Sequence, residues 1–492
     1  LRRAALPRWF DIEVLRTLCE PALAPGALFE QVRGLSFVRD LGDGRLAYAD
    51  PVRQALLAAW RRDRPDDLET LHWRLYHHFA QRAVPPDAAS GAMPLLPEST
   101  ALSAAPLTAQ ADLLRRESLY HLLHADPVRG LDELRATFAY FEAVHRLAEL
   151  ERLAHMASAA IADAVLGSRQ RRWAQYLRAR ALLAARRLDE ATAHLEALRA
   201  YEDLELDLAA QVGQSLGQAY LELGRYAPAI ETLRQSLAFA ARIGEQPALA
   251  RTMLLLGDAY HGLGAGAWYV PEPSPHMALR AGYTLWIGVL SLPFFIAALA
   301  LGPGNRLLPR PAFCTHHQNW LSIRLNNTAR FWYIQARDTF RYLEDARNTV
   351  YAEQRLAGIL LLYGYHDEAR AIIEELLQQP VARDPYLRAS LHQALAECSL
   401  PAGNAEAARA TLAAILVFFR DLGDVRSESR VLAACGYAAR LSGDTSGALG
   451  YFTAGLERAR TLPDPQTRER ILHQIRAWRS HPGADAETRR AL

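Results

Sequence analysis

The stretch Leu208–Ala240, LAAQVGQSLGQAYLELGRYAPAIETLRQSLAFA, indicates how most of the chain is built. Its apolar and small residues recur at spacings of three and four, which predicts two amphipathic helices. Gly224 separates them, because glycine readily adopts the left-handed conformation that ends a helix. Gly217 and Ala229 are small, as two closely packed helix backbones require. The stretch is therefore interpreted as one helical hairpin.

The same hairpin recurs along the chain. A glycine five residues before an alanine returns at Gly364/Ala369, Gly403/Ala408 and Gly443/Ala448, and an earlier version has Arg186 before Ala191. Consecutive alanines are 38 to 40 residues apart where the series is unbroken (229 − 191 = 38, 408 − 369 = 39, 448 − 408 = 40). Five hairpins are therefore predicted. The alternative is five unrelated hairpins in an ordinary helical bundle.

This hairpin resembles the tetratricopeptide repeat. The spacing of that family is matched by small Gly217, aromatic Tyr220, Gly224, aromatic Tyr226 and small Ala229. The resemblance implies an all-α, tetratricopeptide-like solenoid of helical hairpins. The repeats are expected over residues 171–264 and 331–478, followed by a tail at 479–492.

The composition limits the kinds of function. The chain has 492 residues, half of them hydrophobic, so it can bury a large core, and its formal net charge is only +2. With so small a net charge, no overall electrostatic field of the chain would attract polyanions such as nucleic acid. All basic residues are arginine, which excludes a P-loop lysine or a Schiff-base lysine within these residues. Four scattered cysteines without a CxxC pair indicate a reducing compartment, so the cytoplasm is the expected location.

Residues 1–82 predict a different kind of module. Two helices, near Trp9–Cys19 and Ala24–Leu35, precede the stretch FVRDLGDGRLAYAD, in which Asp43-Gly44 predicts a tight β-hairpin. Asp50, which precedes a proline, is expected to cap the next helix. Helix, helix, hairpin, helix is the order of a small winged helix, so the predicted fold is all-α with one β-hairpin.

A winged helix can bind DNA, so a DNA-binding transcriptional regulator is an alternative function. The expected recognition helix carries only Arg33 as a basic residue, whereas groove-reading helices normally carry several donors. Nucleic acid is therefore not the expected partner. A regulator of this kind would depend on Arg33 and on the wing residues Arg39 and Arg45.

The N-terminal module also resembles a known family. The segments LFEQVRGLSFVRDLGDGRLAYADPVRQALLAAW and ETLHWRLYHHFAQRA are similar to the winged-helix segment of STAND-type signalling NTPases. In that family the segment follows a nucleotide-binding domain and precedes a repeat array. The chain contains no GxxxxGKS/T motif. The resemblance thus implies the C-terminal, regulatory part of an NTPase whose motor lies upstream, or a relative that lost its motor. Ala49 stands where many members have a nucleotide-sensing histidine, so no such sensor is implied here.

Two segments connect this module to the repeats. Residues 83–107 are rich in proline, alanine and serine without a helical period, which predicts a linker. Residues 108–170 predict three amphipathic helices with a break at Asp126-Pro127. They are interpreted as a helical lead-in to the repeats.

One predicted repeat is divided by an insertion. Ala248–Gly264 predicts a first helix 40 residues after the corresponding helix of the first hairpin. The expected second helix appears only later, with Ala336 taken as its small position and Phe340 following. Residues 265–330 are therefore interpreted as an insertion between two helices that pack together.

The insertion contains a long apolar run. Residues 281–305 carry no charge, and Tyr283–Leu301, YTLWIGVLSLPFFIAALAL, is long enough to cross a bilayer as a helix. Pro293 would break or kink that helix. Three interpretations stay open: a re-entrant or interfacial segment at the inner face of the membrane, a true span, and an apolar hairpin buried against the repeats or a partner subunit. The side chains expected at a membrane are Tyr283, Leu285, Trp286, Ile287, Leu290, Pro293, Phe294, Phe295, Ile296 and Leu299.

The sequence shows no catalytic arrangement and predicts no cofactor and no small-molecule substrate. Cys314, His316 and His317 lie close together but lack the further ligands that would close a metal site. The predicted function is a non-enzymatic protein-interaction scaffold or sensor array. By resemblance to tetratricopeptide arrays, the first helix of each hairpin lines a concave surface that binds a protein or peptide. The inward side chains would be Gln211, Gln214, Gln218, Arg251, Asp258, His261, Gln393, Glu397, Arg430 and Arg440.

Overall fold

The computed structural model describes residues 2–19, 24–83, 109–143, 146–163, 165–268, 320–400, 404–462 and 465–479. The chain divides into two compact units, Leu1–Tyr201 and Glu202–Leu492. Within the described residues both units are helical, apart from one two-stranded sheet in the first unit. The predicted fold class, all-α with one small β-hairpin, is confirmed.

The first unit begins with a helix-and-hairpin module and continues with helices that pack in chain order. A short 3-10 helix, Arg2–Ala5, precedes the module. The named elements are α1 (Ile12–Leu18), α2 (Pro25–Arg33), β1 (Val38–Gly42), β2 (Arg45–Tyr48), α3 (Asp50–Asp63), α4 (Pro65–Ala83), α5 (Ala109–Ala125), α6 (Pro127–Ala143), α7 (Leu147–Ala162), α8 (Ser168–Ala184) and α9 (Leu188–Arg199).

The two strands form the hairpin that the sequence predicts. β1 and β2 pair antiparallel, with Val38 opposite Tyr48. Asp43 and Gly44 turn the chain with φ angles of 51° and 71°. Positive φ at both central residues is the tight turn that an Asp-Gly pair favours. Helix, helix, hairpin and helix therefore follow one another in the expected order.

The capping prediction at Asp50 is wrong by one residue. α3 begins at Asp50 itself, and Ala49 is the N-cap residue. The Ala49 N–H donates to the Phe37 carbonyl at 2.8 Å, so the pairing of the two strands continues to Ala49. The Asp50 carboxylate thus falls in the first turn, where it is 80% exposed and 3.9 Å from Arg39.

The second unit consists of helical hairpins. Its elements are α10 (Leu206–Glu222), α11 (Tyr226–Ile243), α12 (Gln246–Trp268), α13 (Trp320–Tyr342), α14 (Ala346–Leu362), α15 (His366–Gln378), α16 (Pro385–Ser399), α17 (Ala405–Leu422), α18 (Val425–Leu441), α19 (Thr445–Ala459) and α20 (Pro465–Arg479). A short 3-10 helix, Pro380–Arg383, precedes α16. The hairpins pair α10 with α11, α12 with α13, and so on to α18 with α19.

The hairpins turn where the sequence predicts. The φ angles of the turn glycines are 71° at Gly224, 79° at Gly364 and 79° at Gly443. Glycine takes this left-handed conformation without a Cβ clash. Gly403 lies outside the described residues. The alanines that follow the five turns are all buried: Ala191, Ala229, Ala369, Ala408 and Ala448.

Glycine also allows the helices of a hairpin to approach each other. A Cβ on Gly217 would lie 2.4 Å from the Leu233 side chain, and a Cβ on Gly257 would lie 2.3 Å from the Tyr333 ring. Close-packed interiors leave no room for such an atom. Gly217 and Gly257 occupy the same position in two successive hairpins, because they lie 40 residues apart (257 − 217 = 40). The side chains that they contact, Leu233 and Tyr333, are therefore equivalent residues, 100 positions apart (333 − 233 = 100).

This equivalence corrects the register of the divided repeat. The counterpart of Ala229 is Ala329 (229 + 100 = 329), and the assignment to Ala336 is wrong. Seven residues make about two helical turns, so Ala329 and Ala336 lie on the same face of α13. Both are fully buried, which is why either satisfies the small-residue pattern. The repeat is thus interrupted by 60 residues beyond the usual spacing of 40 (100 − 40 = 60).

The two helices of the divided repeat pack antiparallel along each other. The Ser322 hydroxyl donates to the Gly264 carbonyl at 2.8 Å, near the end of α12 and the start of α13. Further along the pair, the Tyr333 hydroxyl donates to Asp258 Oδ1 at 2.8 Å. Helices that are distant in sequence therefore form one hairpin.

This hairpin is longer at its tip than its neighbours. α12 has 23 residues and α10 has 17, so α12 continues six residues further (23 − 17 = 6). α13 starts at Trp320, six residues before the counterpart of Tyr226 (226 + 100 = 326). Six residues add about 9 Å of helix. The chain therefore leaves and re-enters the repeats at the tip of a lengthened hairpin.

Two predicted segments lie largely or wholly outside the described residues. Of the linker 83–107, only Ala83 is described, at the end of α4. The apolar segment 281–305, with all its expected membrane side chains, falls between 268 and 320. Among the helices that the structure does describe, none combines the length and the hydropathy needed to cross a membrane.

Candidate functional site

The first helices of the second-unit hairpins, α10, α12, α14, α16 and α18, form a continuous row. α10 packs against α12. From α12 onward, side chains join each first helix to the next. The Arg355 Nε atom lies 2.9 Å from Asp258 Oδ1, linking α14 to α12. Gln354 Nε2 donates to Ser390 Oγ at 2.7 Å, linking α14 to α16.

The row continues to α18 and there returns to its beginning. The Tyr386 hydroxyl of α16 donates to Asp424, the N-cap of α18, at 2.9 Å. Arg426, in the first turn of α18, donates from Nη2 to the carbonyl oxygen of Glu222 in α10 at 3.2 Å. The first and last helices of the row therefore meet, and the row curves back on itself.

The predicted partner-binding residues of α10 are three glutamines. Gln211, Gln214 and Gln218 are all half-buried. Gln218 Nε2 donates to the Glu222 carboxylate at 3.3 Å, within the same helix. On α12, Arg251 is exposed. These positions offer amide and guanidinium groups along neighbouring helices.

Two further predicted residues hold the divided repeat together. Asp258 accepts from the Tyr333 hydroxyl and pairs with Arg355. Burial, together with the Asp258 charge, raises the pKa of Tyr333 well above its usual value. His261 Nδ1 lies 2.8 Å from Asn326 Oδ1, and Asn326 is fully buried. Both predicted contact residues therefore have structural partners.

The predicted residues of the later repeats differ in exposure. Gln393 is only 5% exposed, and its Nε2 donates to Glu397 at 2.9 Å. Arg430 and Arg440 are half-buried, and the Arg440 guanidinium lies 4.8 Å from the centroid of the Tyr437 ring. The predicted set thus includes residues that hold the row together as well as residues that face solvent.

Sequence reasoning missed several residues that connect the row. Four of these residues form a bond to a hairpin other than their own: Arg355, Ser390, Tyr386 and Arg426. Their helices are amphipathic, but spacing within one helix does not show which polar residue reaches a neighbour. The one local signal is that Asp424 precedes α18 as an N-cap, with its side chain accepting from Ser427.

The cysteines of the second unit that the structure describes are buried. Cys398 and Cys435 are both 0% exposed. Burial raises the pKa of the Cys398 thiol to about 12, and that of Cys435 to about 12 as well. A thiol in this state is a poor nucleophile. Among the described residues no group of three or more His, Cys, Asp or Glu side chains is placed to hold a metal ion. Cys314, His316 and His317 lie outside them.

The arginines on which DNA binding would depend are next to carboxylates. Arg33 pairs with Asp40 at 2.9 Å, and Arg39 lies 3.9 Å from Asp50. Both pairs are solvent-exposed, so water weakens them and they decide little about DNA binding. The helix α2, expected from the sequence to be the recognition helix, contributes Arg33 and no other basic residue. This geometry gives no support to the DNA-binding alternative.

Comparison with known proteins shows which fold the chain has. No family model and no curated protein matches the chain. Among solved structures, a STAND protein with a tetratricopeptide repeat sensor from Pyrococcus horikoshii is similar, at 11% identity and a TM-score of 0.51. The fold is a tetratricopeptide-like solenoid. The match covers 100% of this chain but only 61% of the Pyrococcus protein, so the chain spans less than two thirds of that relative.

Two further complexes are also similar. A Rap protein complexed with competence and sporulation factor has 12% identity and a TM-score of 0.48, with 73% of this chain and 84% of that chain covered. NprR in complex with its cognate peptide NprX has 13% identity and a TM-score of 0.48, with coverages of 72% and 84%. At these identities the likeness concerns the fold alone.

Proposed function

We propose that the chain is a non-enzymatic sensor or scaffold that binds an extended peptide along the row of first helices. The observation that carries this proposal is the row itself, in which side-chain bonds join successive first helices into one surface. Gln211, Gln214, Gln218 and Arg251 present donors and acceptors at its beginning. Amide side chains at regular intervals suit the main chain of an extended peptide.

Selection of displayed random peptides on the intact chain tests this function. A selected peptide is labelled and titrated by fluorescence anisotropy against the chain and its variants. We expect Gln214→Arg to weaken binding by about tenfold or more, because a longer, charged side chain blocks the surface and leaves a peptide group unpaired.

Gln235→Arg is the matched control. Gln235 is exposed on the second helix α11 and bonds to Glu231 of the same helix. Its substitution should leave the affinity unchanged. Failure to select any peptide, or equal weakening by both variants, would contradict binding along the first helices.

We also propose that residues 1–82 are a winged-helix module and that the whole chain is the sensor part of a STAND-like regulator. The order of α1, α2, the β-hairpin and α3 supports the first statement. The resemblance of the N-terminal segments supports the second. Sequencing the gene upstream of Leu1 tests it, because a STAND-like regulator should encode a P-loop motif there.

Membrane association through residues 281–305 remains a proposal, supported by their uncharged composition. Cell fractionation of the intact chain and of a version in which a short linker replaces residues 269–319, between α12 and α13, tests it. Recovery of the intact chain as a monodisperse species without detergent or lipid would reject it.

A further inference from the structure

A cavity of about 390 Å³ lies within the first unit. It is formed where the start of β2 meets the first turns of α5 and the start of α7. Its charged lining consists of Arg45, Asp112, Arg116, Arg146, Glu149 and Arg152. A cavity of this volume is in the range of sites that hold small molecules.

The lining has a surplus of positive charge. Four guanidinium groups face two carboxylates, a net charge of +2 (4 − 2 = 2). Glu149, only 5% exposed, is bonded by both Arg116 and Arg152. Arg146 pairs with Asp112 at 2.8 Å. Both buried carboxylates are therefore already neutralised by arginines of the lining.

Within the part of the first unit that the structure describes, Arg45 supplies positive charge that no buried carboxylate neutralises. Its ion pair is with Asp43 at 3.5 Å, and Asp43 is 89% exposed, so water weakens the interaction. The Arg45 guanidinium lies 5.6 Å from the centroid of the Trp9 ring, which fixes its position. Arg45 is thus a positioned cation at the cavity wall.

Asp112 supplies an acceptor. It is 2% exposed, and among the described residues its Oδ1 atom has no hydrogen-bond partner. A buried carboxylate oxygen without a donor is unfavourable, and such atoms are uncommon in folded proteins. A donor on a molecule bound in the cavity would remove this cost.

We propose that the cavity binds a small phosphorylated molecule that also carries a hydroxyl or amino group, such as a sugar phosphate or a mononucleotide. A phosphate monoester carries nearly two negative charges at neutral pH, which matches the surplus of the lining. Arg45 and Arg116 would hold the phosphate, and Asp112 Oδ1 would accept from the hydroxyl or amino group. This inference does not depend on the peptide-binding function, because it concerns the first unit.

Calorimetric titration of the intact chain tests the proposal. Ribose 5-phosphate, glucose 6-phosphate and AMP are titrated in turn, with ribose and inorganic phosphate as partial ligands. We expect at least one phosphorylated probe to bind saturably at one site, and both partial ligands to bind at least about tenfold more weakly. If none of the three probes binds, the proposal is overturned.

Two substitutions locate the binding. Arg45→Gln should lower the affinity for the phosphorylated probe by about tenfold or more, because it removes a charge-assisted bond to phosphate. Arg39→Gln is the matched control on the same hairpin, since Arg39 is 62% exposed and pairs with Asp50. Equal weakening by both variants would indicate general attraction to a basic surface and would reject the cavity.

Asp112→Asn tests the contact with the hydroxyl or amino group of the ligand separately from the contact with its phosphate. We expect it to weaken binding of the phosphorylated probe while inorganic phosphate binds at least as well as before, because the negative charge of the acceptor is lost but the phosphate site is not. Circular dichroism establishes that each variant is folded. If Asp112→Asn does not fold, the comparison of Arg45→Gln with Arg39→Gln decides the question alone.

Discussion

The Arg426 guanidinium donates a hydrogen bond of 3.2 Å to the carbonyl oxygen of Glu222, although 204 residues separate them. The acceptor lies in the last turn of α10, where carbonyls lack intrahelical partners and the helix dipole favours a cation. The same unit contains a contact between α12 and α20. The second unit is therefore closed by contacts between its early and late hairpins as well as between neighbours.

Replacing Arg426 should loosen this closure. We expect Arg426→Met to destabilise the contact by about 1–2 kcal/mol, since it removes a hydrogen bond from a charged donor. Amide hydrogen exchange should become faster in the first turn of α18 and the last turn of α10. Arg383→Met is the control, because Arg383 is exposed at the end of a short 3-10 helix. Unchanged exchange at both helix ends in Arg426→Met would show that the bond does not hold the row closed.

Gly257 should be intolerant of a side chain. An added Cβ would lie 2.3 Å from the Tyr333 ring, and Tyr333 is 0% exposed, so the ring has little room to move. We expect Gly257→Ala to lower the free energy of unfolding by about 1–3 kcal/mol. The measurement is urea unfolding followed by circular dichroism.

Gly358 provides the opposite case. It lies inside α14, and a Cβ there would meet nothing within 4 Å. Gly358→Ala should therefore raise the unfolding midpoint, by up to about 1 kcal/mol in free energy, because alanine favours the helix. A loss of stability in Gly358→Ala comparable to that in Gly257→Ala would contradict the packing argument.

Two buried histidines should make the stability of the first unit depend on pH. His72 Nδ1 lies 2.9 Å from His121 Nδ1, so one ring donates and the other accepts. Burial, together with nearby positive charge from His124, Arg53, Arg61 and Arg8, holds the pKa of both histidines well below the usual value. The unfolded state binds protons first as the pH falls below about 6.5, so stability is lost in that direction.

Each neutral histidine contributes at most about 1.4 kcal/mol per pH unit to this slope. His121→Gln keeps a hydrogen-bonding side chain but removes one titrating group, so the slope should fall by up to about 1.4 kcal/mol per pH unit. Urea unfolding between about pH 5 and about pH 8 measures it. His155→Gln, at an exposed position on α7, should keep the native slope. An unchanged slope in His121→Gln would exclude the buried pair as its source.

The cysteines should differ sharply in reactivity. Cys19 is partly exposed, whereas Cys398 and Cys435 are buried with thiol pKa values raised to about 12. Iodoacetamide reacts with the thiolate, so in the native chain it should label Cys19 before Cys398 and Cys435. Peptide mass spectrometry after timed labelling measures this order. Denaturant should abolish the difference, and rapid native labelling of Cys398 would contradict its burial.

Local features of the sequence predicted the repeat fold well. Gly224 and Ala229 sit within one hairpin, so glycine conformation and small-residue packing can be inferred from neighbouring positions. The same local pattern misassigned Ala336, because a residue two helical turns from Ala329 lies on the same face and is equally small. The contact between Gly257 and Tyr333 distinguishes the two registers.

Long-range polar contacts were not predictable in this way. Nothing in the sequence indicates that Arg426 and Glu222 are in contact. Their bond depends on the curvature that accumulates over several hairpins. The cavity of the first unit likewise joins Arg45, Asp112 and Glu149 from three separate elements. Each of these residues fits an ordinary solvent-facing pattern when its own helix or strand is considered alone.

The lengthened tip of the α12–α13 hairpin has a consequence for folding. Joining these helices closes 51 residues (319 − 268 = 51), whereas Leu223–Arg225 suffices between α10 and α11. For a flexible chain, the longer closure costs about 2–3 kcal/mol more in conformational entropy. The added helical turns bury Ser322 and bond it to Gly264, so they offset this entropic penalty where it arises. The insertion thus enters the array at the point where additional contacts between helices oppose its entropic cost.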